Sequence, residues 1–198
     1  MLLERWLTLC SKLNLEGRHQ WEIFNLEYSH TNRSYHNLEH IKDCLKQLDS
    51  NRDLAKDPVA VEFAIWFHDL IYNTESPSNE EDSAQVAKDF LKGTAICETV
   101  VELILATKHQ SKTISHDQAL ICDIDLSILG RDPEIYRHYS EAIRQEYHWV
   151  PSADYSEGRR AVLSAFLERD SIYILPHFQS QLEDQARSNL LSELEQLA

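Results

Sequence analysis

His68-Asp69 ends the most apolar segment of the chain, PVAVEFAIWFHDLIY, which begins at Pro58. An imidazole and a carboxylate at the end of a buried helix are costly to desolvate unless they are paired or bound to something. A metal ion satisfies both. Asp57 is placed to cap that helix and Pro58 suits its first position, so the pair falls near the C-terminal end, where the helix dipole favours a cation. A second cluster lies upstream in Tyr35-His36-Asn37-Leu38-Glu39-His40-Ile41. His36 and His40 are four apart and share a face if that turn is helical. A third is Cys122-Asp123-Ile124-Asp125-Leu126. Residues two apart on a helix point about 200° apart, so one of these two aspartates, not both, faces a given site. Singly, each cluster can be read as a cap or a salt bridge. Together, two imidazoles and two carboxylates suit Mn, Fe, Co, Ni, Zn or Mg better than copper(I) or an iron–sulfur cluster. Such a set leaves positions for water, as hydrolytic metal sites require.

Helices must position these residues, because apolar spacings of three and four recur almost throughout. The pattern predicts helices over about 2–14, 18–29, 37–48, 58–72, 79–92 and 95–109. It predicts further helices over about 115–129, from 132 to about 148, to about 170 after the loop WVPSADYSEG, and from Pro176 to about 197. Ser78 with Glu81, and Ser115 with Gln118, match capping boxes. Gly93 and Gly130 are expected helix stops. No strand, repeat or domain linker stands out, and one all-α domain is expected over 1–198.

The net charge is −14. That argues against a nucleic-acid backbone or an anionic membrane as the main partner. It also means that an anionic substrate needs a local cation. With 4 Gly and 5 Pro the composition suits a helical globule. Cys10, Cys44, Cys97 and Cys122 form no CxxC and read as buried thiols. The first residues, MLLERWLTLCSKL, carry charge too early for a signal peptide, and no apolar run is long enough to span a membrane. A reducing cytoplasm is the expected location.

His40-Ile41, His68-Asp69 and Asp125-Leu126, in that order, resemble the H…HD…D signature of the HD superfamily of metal-dependent phosphohydrolases. YHNLEHI, FHDLIY, NEEDSA, ATKHQ, DIDLSILG and AIRQEY extend the likeness to one bacterial branch, over roughly residues 20 to 197. The resemblance implies an HD-like helical bundle with added N- and C-terminal helices, its core at about 20–150 and an extension at about 151–198. It implies His40, His68, Asp69 and Asp125 as ligands of a divalent metal. Asp125 departs from the relatives' Ala-Asp-x-Leu pattern, with Ile124 in place of Ala and Leu126 directly after the aspartate. His36 becomes an outer contact to metal ligand or substrate. Glu80 and Glu81 stand where some relatives orient the attacking water. His109 and His116 stand where some bind a second metal, with His109 alternatively a catalytic or phosphate contact. Lys108 and Arg144 are the cations expected at phosphate, while Arg159 and Arg160 equally suit surface pairing. The implied function is hydrolysis of a small phosphate compound, a nucleotide above all. The other readings are a dinuclear iron oxygenase, and a nucleotide- or partner-binding module without turnover.

Overall fold

The computed structural model describes residues 2–109 and 115–197. Among the described residues there are ten α-helices, two short 3₁₀ turns and no strand, the all-α class expected. The chain divides into two compact units, Met1–Ile121 and Cys122–Ala198.

The first unit is organised by its most apolar helix. Its helices are α1 (Leu2–Ser11), α2 (Arg18–Glu27), α3 (Leu38–Ser50), α4 (Pro58–Phe67), α5 (Asn79–Phe90) and α6 (Cys97–Ala106). The Asp57 carboxylate accepts from the Val59 and Ala60 amides, and Pro58 occupies the first turn, as the sequence indicated. Every residue from Ala60 to Phe67 is buried, and α1, α3, α5 and α6 all pack on this helix. Each large side chain so buried contributes about 1.5–3 kcal/mol. Trp6 of α1 meets Phe24 and Phe63 edge-on, at 4.9 and 5.5 Å between ring centres. Glu62 is the one acid buried in α4, and Arg5 reaches it at 2.7 Å.

Two sequence expectations fail at the end of α4 and the start of α5. The helix from Pro58 stops at Phe67, not near residue 72, and His68 caps it. Ser78 begins α5 without a side-chain cap bond, because its hydroxyl donates to Asp82 and Glu81 takes Lys108 at 2.5 Å. The second capping box does form: Ser115 N–H donates to Gln118, and Gln118 N–H to the Ser115 hydroxyl.

Helix α7 (His116–Asp125) starts in the first unit and ends in the second, where it gives way to a 3₁₀ turn at Leu126–Gly130 instead of running on to Leu129. The second unit also holds α8 (Pro133–Glu146), α9 (Ser152–Leu167) and α10 (Pro176–Gln196). Gly130 is required by closeness rather than by its dihedrals. A Cβ there would lie 2.6 Å from the Leu182 Cβ and 2.7 Å from the Leu182 carbonyl oxygen of α10. Asn189 of α10 donates to the Leu129 and Arg131 carbonyls flanking that glycine. Glu193 accepts from Arg159 at 2.8 Å and from Tyr136, so Arg159 holds a buried acid and is no surface pair.

Candidate metal centre

Asn37 sets the first histidine. Its side chain accepts from the Glu39 and His40 amides and so starts α3 at Leu38. His40 therefore lies in the first turn of α3, while His36 precedes the helix. The two do not share a helical face, contrary to the conditional reading of the sequence. His36 instead stacks on Tyr72, with ring centres 4.2 Å apart, and lies 5.9 Å from the His40 ring.

The end of α4 brings the HD pair to His40. His40 Nε2 and His68 Nε2 are 3.2 Å apart. The Asp69 Oδ2 is 3.3 Å from the first and 3.0 Å from the second. Both imidazoles are buried, and the carboxylate is 19% exposed. His68 donates Nδ1–H to the Ile65 carbonyl at 2.9 Å, which turns its Nε2 toward Asp69 and His40. Three potential ligand atoms thus converge, and these donors suit a divalent metal ion. Burial works against the charged form of Asp69, but the facing imidazoles of His68, His36 and His40 outweigh it and hold the carboxyl well below the usual carboxylate range.

The two candidate aspartates of α7 have different employment. Asp123 is fully buried and accepts from the Ile174 and Leu175 amides at 2.8 and 2.7 Å, immediately before α10. Asp125 closes α7 and is partly exposed.

Other expected contacts fall elsewhere. Lys108 is held by the Pro77 carbonyl and Glu81, with Glu80 at 4.0 Å. Arg144 donates to the Tyr147 and Val150 carbonyls and lies over the Tyr155 ring. The His116 ring meets the Leu54 carbonyl at 2.7 Å, and His109 follows α6 with φ +55°. Neither histidine joins the ligand group formed among the described residues.

Sequence reasoning passed over Arg33 and Tyr28. The Tyr28 hydroxyl donates to the Trp66 carbonyl, and Arg33 to the Asp69 and Leu70 carbonyls at 2.6 and 2.7 Å. The available signal was a cation and a phenol just upstream of the histidine cluster, beside a helix whose last carbonyls would otherwise lack partners.

No family model, no curated protein and no solved structure matches the chain. No helix among the described residues is long and apolar enough to cross a membrane.

Proposed function

We propose that this chain is a metal-dependent phosphohydrolase of the HD type, acting on a small phosphate ester or anhydride, with a nucleotide the leading substrate class. The observation that carries the reading is the convergence of His40, His68 and Asp69 through atoms that can share a cation. The HD resemblance adds Asp125 as the fourth ligand of the proposal. It is preferred to Asp123, whose two carboxylate oxygens are taken by backbone amides. A divalent ion held there would lower the pKa of a water and offer charge to a phosphoryl oxygen.

The chain's own residues supply the rest. Asp69 stays ionised beside its imidazoles. His68 is oriented by the bond from its Nδ1–H to the Ile65 carbonyl, which turns its Nε2 toward Asp69 and His40. His36, held against Tyr72 beside His40, takes the proton of the attacking water or contacts the phosphate. A single metal is preferred to two, because His116 is engaged by Leu54.

Elemental analysis of protein purified without chelators, beside Asp69→Ala, tests the reading together with a hydrolysis screen. The screen covers nucleoside mono-, di- and triphosphates and p-nitrophenyl phosphate with each candidate metal. Metal lost in the variant, with turnover in the parent, supports it. Metal without turnover reduces the chain to a binding module, and no metal overturns the proposal.

A further inference from the structure

Arg33 is 6% exposed, in a segment that is otherwise loop. It is placed between the two stretches that carry the ligands. One guanidinium nitrogen donates to the Asp69 carbonyl at 2.6 Å and to the His36 carbonyl at 3.3 Å, and another donates to Leu70 at 2.7 Å. Tyr28 and Tyr72 both lie near its charge, 5.2 and 5.6 Å from ring centre to guanidinium carbon. These bonds tie the backbone on which Asp69 rides to the turn that leads into α3.

The Arg33 main chain continues the tie. Asn37 donates its amide to the Arg33 and Ser34 carbonyls, while its oxygen caps α3 at the His40 amide. One residue therefore positions Asp69 through its side chain and His40 through Asn37. A guanidinium suits this because its donors form a fixed planar fork, whereas lysine presents a single mobile point charge.

We infer that Arg33 is a positioning residue for the metal centre, setting the spacing between the His40 and Asp69 ligand atoms. The inference rests on the metal reading proposed above. It assigns Arg33 to metal affinity rather than to stability alone. Groups that orient ligands from outside typically cost 10–100-fold in metal affinity when changed.

The test is calorimetric titration of the chelator-stripped full chain with Mn(II), beside its thermal melt. Arg33→Lys is expected to bind Mn(II) about 10–100-fold more weakly than the parent. Tyr28→Phe is the control. It removes the bond to the Trp66 carbonyl but none of the Arg33 bonds to Asp69, Leu70 and His36, so it should lower the melting temperature and leave affinity unchanged. If Arg33→Lys melts early yet binds Mn(II) as tightly as the parent, the inference is overturned and Arg33 is only structural. If Arg33→Lys does not fold, Asn37→Ser replaces it. Serine keeps a helix cap but drops both amide bonds to the Arg33 segment, and undiminished affinity there overturns the inference equally. Failure of the parent to bind Mn(II), Fe(II), Co(II), Ni(II), Zn(II) or Mg(II) removes the metal reading itself, and the inference with it.

Discussion

His40 and His68 turn their Nε2 atoms toward each other at 3.2 Å, and the Asp69 carboxylate faces both. An ion that binds this arrangement in the folded chain, and not in the unfolded one, stabilises the fold by mass action. A ligand at a hundred times its dissociation constant adds about 2.7 kcal/mol. Saturating Mn(II) or Zn(II) is therefore expected to raise the melting temperature of stripped protein by several degrees. The rise should vanish in His68→Asn. Equal metal-induced shifts in parent and variant would place the ion elsewhere.

Asp123 and Asp125 are separated by one residue and predicted to fail differently. Asp123→Ala leaves the Ile174 and Leu175 amides without their acceptor. Losing a buried charged partner of two amides costs about 2–3 kcal/mol, so the variant should lose stability to urea. Asp125→Ala should unfold near the parent midpoint and lose bound metal. Metal loss in Asp123→Ala, in protein still folded and with Asp125→Ala still loaded, would reverse the assignment.

What was legible in the sequence depended on short range. The start of α4 is written in Asp57-Pro58, whose partners are two and three residues away, and the helix's apolar run announced its burial. His36 and His40 would share a face only if their turn were helical; Asn37 instead caps α3 at Leu38, and His36 precedes the helix. The capping role of Glu81 failed because Lys108, 27 residues on, competes for it. Arg33 was passed over for a stronger reason: two of its partners are backbone carbonyls 36 and 37 residues away in sequence. Its place beside the histidine cluster was the one hint of them. Gly130 read as a helix stop, yet its need is closeness to Leu182.

Glu62 supplies a stability prediction independent of the metal. It is buried in α4 and receives Arg5 at 2.7 Å and Arg52 at 3.4 Å. Breaking a buried pair from one side leaves an uncompensated charge, at a cost of about 3–5 kcal/mol. Arg52 offsets part of this, so Arg5→Met should cost about 2–3 kcal/mol by urea unfolding. Adding Glu62→Leu removes the stranded charge and should recover most of the loss. A double variant as unstable as Arg5→Met would show that packing of the arginine stem, not charge, is what matters there.

Glu183 of α10 gives the acid limb of stability. Its carboxylate accepts from the Ile172 and Tyr173 amides, the Ser171 hydroxyl and Arg187. Burial raises its pKa, but these donors outweigh burial and lower it below the ordinary glutamate value. A folded pKa below the unfolded one means that the unfolded state binds the proton more readily as pH falls. The stabilisation is therefore full above the unfolded value, about 4.3 for glutamate, and is lost as pH drops through the lower folded value. Glu183→Gln keeps the shape but not the charge, so the difference in unfolding free energy between parent and variant should shrink steadily below about pH 4.3. Urea melts from pH 7 down to 3 read this directly. A gap that stays constant across that range would mean that Glu183 acts by shape alone.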